Sequence, residues 1–501
     1  MNFPRGSQWT AAVAAISIAF TVGAQDNAAL EREVERGMEM WHVPGMAVAV
    51  VGADSVDFQR GFGSTATEVG SDVDEHTLFA IASTTKAMIA AGILILADDG
   101  ELSLDDPLIK FVPEVHFGDP ALTPQVTLRD LLAHRTGLPS TDAWVFLQHI
   151  QLDEAIQRLG KVSSVAAPRS RFIYQNTMYE LSGMVIERVS GKSWQDFLTE
   201  RLWQPIGMQS TYGARGFISP DKSHVLPYQY FNDELVQADW DLDPNHADAA
   251  GSVWSSVHDM SLWAQFLLRG GVTADGERLI SEESMADMFE PAHLASEGDF
   301  YPTTALTKPN WRTYGLGWFQ QDFQGRKIDF HTGSLSGLIA MIGLDRANGK
   351  AMVVLGNRDH AEMRHAILWY VMDQTPDSEK RDWNQETFDL YEGIAAEAAA
   401  QIDEIDAARI SGTSPALPLE AYAGNYENNL IGPVTVAVDG DNMTLSTNLH
   451  TLEMAHWHVE TFEVSKEEWD FRGWVSFDIG TDGKVNSMNA FGEDFSRVPE
   501  E

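Results

Sequence analysis

The feature that most limits what this chain can fold into is the placement of its apolar β-type runs, which stand at both ends of a long helical stretch. "GMAVAVVGADSVDFQRGFG" (Gly45 to Gly63) reads as a hairpin, with β-branched and small apolar residues, a Gly52/Ala53/Asp54 turn and a second strand. Strands return in "KIDFHTGSLSGLIAMIGLD" and "KAMVVLGN". Between them, from about Glu101 to Phe323, apolar residues recur at three and four spacing, broken by Gly and Pro, as in "YELSGMVIERVSGKSWQDFLTERLWQPIGM". One sheet assembled from both ends of a domain, with helices and a helical insertion beside it, satisfies that order, so the expected class is α+β.

Two further segments follow. Residues 376–415, including "IAAEAAAQIDEIDAARISGTSP", are acidic and alanine-rich and end in Gly, Ser and Pro, which predicts a helical linker and then a break. Residues 416–501 alternate in short runs such as "VTVAV" and "WVSFDI", punctuated by Asp439-Gly440 and Asp482-Gly483 turns, and predict a separate small all-β barrel or sandwich.

The first residues, "MNFPRGSQWTAAVAAISIAFTVGAQD", carry Arg5, an apolar run from Ala11 to Val22 and small residues before a cut after Ala24. That is the order of a secretory signal peptide over residues 1–24, so the main domain is expected at 25–375 in an exported protein, periplasmic or secreted. No later run reaches about 18 uninterrupted apolar residues, so no membrane span is expected. Lys+Arg number 34 against Asp+Glu 74, a formal net charge of −40, which repels phosphate backbones and anionic lipid and excludes nucleic acid as the natural partner. There is no cysteine, which removes disulfides, thiol nucleophiles, zinc ribbons and thiol redox chemistry.

The chemistry candidates begin with Ser83-x-x-Lys86 in "FAIASTTKAMIAAGILILADDG", where Lys86 is the one charge between Phe79 and Ala97. Residues three apart share a helix face, and a lysine desolvated by apolar neighbours favours its neutral, basic form beside a serine hydroxyl that needs a base. On this helix alone, a lysine whose stem packs in the core while its head reaches water explains the pattern as well. A second copy, Ser219-Pro-Asp-Lys222, lies in a proline-interrupted stretch with no apolar flank.

Tyr-x-Asn occurs as Tyr174-Gln-Asn176, Tyr230-Phe-Asn232 and Tyr426-Glu-Asn428. A phenol near a lysine can relay a proton and an asparagine can donate to a substrate carbonyl. Tyr174, just ahead of a long amphipathic helix, is preferred over Tyr230, and Tyr426 belongs to the C-terminal segment. His331-Thr332-Gly333 opens an apolar strand, and the N–H of Ser334 is a candidate oxyanion donor; a strand-end histidine with a satisfied hydrogen bond is the plainer alternative. "SGKS" at Ser190 lacks the glycine of a phosphate loop, "GSLSG" at Gly333 has Leu335 at its centre, and "HAEMRH" lacks zincin spacing. His456 and His458 could share one strand face and a metal, or simply pack.

In chain order, Ser83-x-x-Lys86, Tyr174-x-Asn176 and His331-Thr332-Gly333 resemble the motifs of the class C branch of the serine β-lactamase and penicillin-binding-protein superfamily, the CubicO-type peptidase S12 group. The likeness extends to "WHVPGMAVAVV", "GELSLDDPLIKFVPEV", "TLRDLLAHRTGLPS", "QPIGMQSTYG", "DAAGSVWSSVHDMSLWAQFLL" and "YGLGW", roughly residues 30 to 372. "YAGNYENNLIGPVTVAVDG" with "HWHVETF" looks like the lipocalin-like domain that follows the catalytic domain in some of these hydrolases, where it would form oligomers or narrow the cleft.

The resemblance implies a β-lactamase/transpeptidase-like fold and acyl transfer with no cofactor and no metal. Ser83 would be the nucleophile, Lys86 and Tyr174 the proton carriers and Asn176 a substrate-orienting residue. His331, Thr332, Gly333 and Ser334 would form the substrate-binding strand, with the N–H groups of Ser83 and Ser334 holding the oxyanion. The partner would be a small molecule or short peptide. One departure matters: many relatives begin the third motif with lysine, a carboxylate anchor, where this chain has His331. That shifts the expectation from penicillin hydrolysis towards peptidase, D-amino amide hydrolase or esterase chemistry. A non-catalytic module binding peptides or cell-wall fragments is the rival from another class, and metal-dependent hydrolysis through the histidines a third.

Overall fold

The computed structural model describes residues 27–499 apart from 149, 240–247, 336, 377–378 and 467–470. The expected export segment therefore lies outside the described residues. The hairpin at the start of the domain is β1 (Gly45–Gly52) and β2 (Val56–Gly63). Its partners come from the far end of the domain: β3 (His293–Leu294), β4 (Arg312–Tyr314), β5 (Phe319–Phe323), β6 (Arg326–Leu335), β7 (Leu338–Asp345) and β8 (Lys350–Gly356). The order across the antiparallel sheet is β2-β1-β8-β7-β6-β5-β4-β3, so the two ends of the domain meet where Val48 pairs Val354.

Alternation explains why these strands read as nearly unbroken apolar runs. In β1, Ala47, Ala49 and Val51 face one core while Met46, Val48 and Val50 face another; in β8, Ala351, Val353 and Leu355 oppose Met352 and Val354 in the same way. A sheet covered on both faces needs no polar side.

The first face is covered by α1 (Thr85–Asp98), α3 (Asn176–Ser190) and α4 (Val257–Leu268); a short helix α2 (Ala143–Phe146) lies between α1 and α3 in sequence. The second face is covered by a helix at 27–40 and by α5 (Met363–Met372). β3, β4 and β5 lie inside the stretch expected to be helical up to Phe323. They are two to five residues long and include Gln320, Gln321 and Asp322, so they show no apolar period and are held by pairing to β6 and to one another.

Helix α6 (Trp383–Ala407) is buried only near its start, at Trp383, Asn384 and Thr387, and leads to the C-terminal domain. There β9 (Gly424–Asn428), β10 (Gly432–Asp439), β11 (Asn442–Ser446), β12 (Thr451–His458), β13 (Thr461–Lys466), β14 (Phe471–Ile479), β15 (Val485–Ala490) and β16 (Glu493–Arg497) form a closed antiparallel barrel, with Tyr426 of β9 paired to Arg497 of β16. Its interior is filled by side chains including Tyr422, Tyr426, Phe462, Phe477 and Phe495, as expected for eight strands. No helix among the described residues is long and apolar enough to cross a membrane.

Candidate active site

Ser83 sits in a 3-10 turn, Ala82–Thr84, that runs directly into α1. Ala82 has φ 44°, a left-handed conformation uncommon for a residue with a Cβ, and the turn is pinned by the Thr84 hydroxyl donating to the Ile81 carbonyl at 2.7 Å. Ser83 is partly exposed, whereas every residue from Thr84 to Leu96 is buried. The serine is thus the solvent-facing residue ahead of a helix that is buried as far as Leu96.

Lys86 is 0% exposed, so its head does not reach water. Its ammonium donates to Ser83 Oγ at 3.0 Å, Asn176 Oδ1 at 2.7 Å and the Ala250 carbonyl at 2.8 Å, one bond for each N–H. Burial draws its pKa down from 10.5 to about 8, against the opposing pull of Asp248, Asp142 and Glu180. The phenol of Tyr174 is hydrogen-bonded to Ser83 and is pushed well above 10, chiefly by burial, so it stands as a neutral phenol. Its ring lies 5.0 Å from the Lys86 nitrogen. Asn176, the first residue of α3, turns its Nδ2 to Asp142 Oδ1 at 3.0 Å.

Strand β6 closes the other side. A Cβ on Gly333 would stand 2.4 Å from the Ile81 carbonyl oxygen and 3.0 Å from the Ser83 nitrogen, so only glycine lets the strand lie this close to the serine turn. His331 is buried; its Nδ1 donates to the Thr332 carbonyl at 2.6 Å, which leaves Nε2 to accept from the Tyr314 hydroxyl at 3.0 Å. Burial and the nearby Lys86 push its pKa to about 3, so the ring is neutral. The Thr332 hydroxyl is hydrogen-bonded to Tyr301.

Several neighbours carried no sequence signal of their own. The buried Arg364 donates to the Gly333 carbonyl at 2.6 Å and to Ser334 Oγ at 2.8 Å, while its other edge is clamped on Glu362 at 2.9 and 3.0 Å. Glu180 of α3 and Asp248 hydrogen-bond each other, and burial beside that second carboxyl holds Glu180 well above the usual carboxylate range. Asp248 Oδ1 accepts from the Ala250 N–H at 2.5 Å, which aims the Ala250 carbonyl loop at Lys86. His134 is buried against the Tyr174 ring, 4.3 Å between centroids, and is held neutral by burial, Lys86 and His331.

The duplicate motifs lie elsewhere. Ser219 donates to Asp221, Tyr230 stacks on His42 at 4.1 Å, and Tyr426 is in the barrel interior with its hydroxyl on the Tyr422 carbonyl. His456 Nε2 bonds the Val459 carbonyl and His458 Nδ1 accepts from the Ile410 N–H, so both rings tie loops. Among the described residues there is no group of three or more side chains able to hold a metal.

The family model described as Beta-lactamase matches residues 30–376. The chain belongs to the beta-lactamase family. A second model, a domain of unknown function (DUF3471), matches residues 408–498, the barrel. The chain is 26% identical over 447 residues to the unguisins hydrolase ungD of Aspergillus violaceofuscus, covering 82% of this chain and 76% of that protein. Its fold matches the octameric penicillin-binding protein homologue from Pyrococcus abyssi with TM-score 0.62 at 23% identity, over 93% of this chain and 99% of that one. A D-stereospecific amidohydrolase from a Streptomyces species matches with TM-score 0.56 at 23% identity, over 70% of this chain and 99% of that one. The family's fold, a β-lactamase/transpeptidase-like α+β domain, is here followed by a closed eight-stranded barrel.

Proposed function

We propose that this protein is a serine hydrolase that cleaves an amide or ester bond through an acyl-enzyme on Ser83. The observation that carries the reading is the 3.0 Å contact between a solvent-reachable serine and a fully buried lysine drawn down to about 8. Neutral Lys86 takes the Ser83 proton as Oγ bonds the carbonyl carbon. The backbone N–H groups of Ser83 and Ser334 hold the oxyanion. Collapse breaks the bond to the leaving group, which receives its proton from Lys86 by way of Tyr174; water then attacks the acyl carbon, its proton returning by the same route, and frees Ser83. Tyr174, kept as a neutral phenol, is suited to passing a proton on and Lys86 to accepting the first one.

The substrate is a peptide, D-amino amide or ester rather than a penicillin. His331 is neutral and Arg364 is committed to Glu362, Gly333 and Ser334, so neither offers a free positive charge to a carboxylate. The likeness to a D-stereospecific amidohydrolase of Streptomyces supports amide chemistry, and that to the Aspergillus unguisins hydrolase supports hydrolysis. Residues 1–24 serve as an export signal, and the protein assembles into an oligomer, with the barrel as the proposed contact; the octameric state of the Pyrococcus homologue supports oligomerisation in general. N-terminal sequencing of secreted protein and light scattering test these two points.

The decisive experiment is intact-mass analysis after a fluorophosphonate probe, in which Ser83 Oγ bonds phosphorus, fluoride leaves and Lys86 takes the proton. One adduct on wild type, absent from Ser83→Ala, is expected, with ester turnover reduced about 10⁴-fold in that variant. A well-folded wild type with no adduct, binding peptides reversibly instead, favours the non-catalytic module.

A further inference from the structure

We propose that Asp142 is a positioning residue for Lys86, and that the C-terminal barrel holds it in place through helix α2. This rests on the hydrolase reading above.

Asp142 stands directly before α2, where an aspartate ordinarily caps the helix, yet its side chain makes no capping bond. Its Oδ1 instead accepts from Asn176 Nδ2 at 3.0 Å and faces the Asn176 backbone N–H at 3.5 Å. A carboxylate only accepts, so it fixes which end of the Asn176 amide faces it and turns Oδ1 onto the Lys86 ammonium at 2.7 Å. The neighbouring Thr141 hydroxyl bonds Thr177 at 2.8 Å, keeping the same segment on α3.

Helix α2 has two faces, each in a different domain. Trp144 is buried in the catalytic core, and its indole N–H donates to the Leu430 carbonyl of the barrel. Ala143 and Leu147, four apart and so on one side, pack against the barrel's own core. Just beyond, Gln148 Nε2 donates to the Pro433 carbonyl at 2.9 Å, while the Asn448 N–H donates to Gln148 Oε1 at 3.2 Å and its Nδ2 to the Gln148 carbonyl at 3.3 Å. Leu430 returns the contact by packing on the catalytic core. The barrel therefore grips the chain within a few residues of Asp142, and Asp142 reaches Lys86 through one side chain.

The groups facing Lys86 from all sides are Ser83 on its own turn, Tyr174, Asn176, Tyr179 and Glu180 at α3, and Asp142 ahead of α2. Asp248 and the Ala250 carbonyl face it from the preceding loop of α4, His331 from β6, and His134 from the loop before α2. Asp248 and Asp142 favour the charged amine and burial opposes it, while Glu180 is held towards its neutral form beside Asp248 and both histidines are neutral. Removing the Asp142 charge or loosening its position therefore lowers the pH at which Lys86 becomes a base.

The test uses full-length protein and measures the rate of fluorophosphonate labelling of Ser83 against pH. Asp142→Asn is expected to move the acid-side midpoint below that of wild type and to slow labelling at the plateau. Trp144→Phe, which keeps an aromatic ring of smaller size and loses the indole donor, Gln148→Ala and the barrel-side Asn448→Ala are expected to move it the same way, slowing labelling about 3- to 10-fold. Arg472→Ala, which cuts the barrel's ion pairs to Asp406 of α6 and Glu463, should keep the wild-type rate and midpoint. Folded seam variants with wild-type rate and midpoint overturn the inference, as does an Asp142→Asn profile that does not move, or an Arg472→Ala profile that moves equally. Wild type that is never labelled at Ser83 overturns the hydrolase reading and this inference together; any of the former results overturns this inference alone.

Discussion

At the scale of single residues, a lysine in an apolar helix is costly, and Lys86 carries that cost where the proposed reaction calls for a base. Because burial lowers its pKa from 10.5 to about 8, the sign of the stability effect follows. Below about 8 both folded and unfolded chains hold the proton. Between about 8 and 10.5 the unfolded chain holds it and the folded chain does not, so stability rises with pH across that window. Wild type should gain about 2 kcal/mol relative to Lys86→Met between pH 7 and pH 9.5, read as the difference between two denaturant series, which cancels every other titrating group. In the proposed mechanism the same proton governs turnover: kcat/KM should climb through about pH 8 and level off above it. A rate flat from pH 6 to pH 9, with labelling intact, would assign the base to another group.

Elements bring the site together, and they differ in how far the sequence discloses them. The serine sits in the 3-10 turn that runs into α1 and the lysine in the first turn of α1 itself, and Gly333 stands two residues after His331 on β6; such patterns survive as local spacing, and their chain order made the grouping legible. Asp142, Glu180, Asp248 and Arg364 reach the site only because α2, α3, the loop before α4 and α5 converge there, and no period or spacing marks them. The paired edge strands β3, β4 and β5 were hidden for a related reason, since pairing rather than apolar alternation holds them. The closest such convergence is β6 against the serine turn. A methyl at Gly333 would meet the Ile81 oxygen at 2.4 Å and the Ala82 Cβ at 2.8 Å, both anchored atoms. Gly333→Ala should therefore push β6 away from Ser83, lowering the labelling rate about 10²-fold and stability by about 1–3 kcal/mol. Wild-type labelling with lowered stability alone would mean that the strand relaxes without disturbing the nucleophile.

For the whole molecule, the balance of charge legible in the sequence acquires a direction once the site is placed. The net charge of −40 surrounds a site whose buried ammonium faces Asp248 and Asp142, while His331 is neutral and Arg364 is paired with Glu362. Such a field favours the approach of cations and opposes anions over roughly a Debye length, about 10 Å at 0.1 M salt. An ester with a free α-ammonium group should therefore be taken in preference to the same ester carrying an N-succinyl carboxylate. The ratio of their kcat/KM values should fall about 3- to 10-fold as salt rises from 20 to 500 mM. Taking a ratio removes any effect of salt on folding or on the serine itself, so only the field remains. A ratio that stays constant would show that the surface charge is screened before it reaches the cleft, and a ratio that rises would require a cation at the cleft stronger than any the site offers among the described residues.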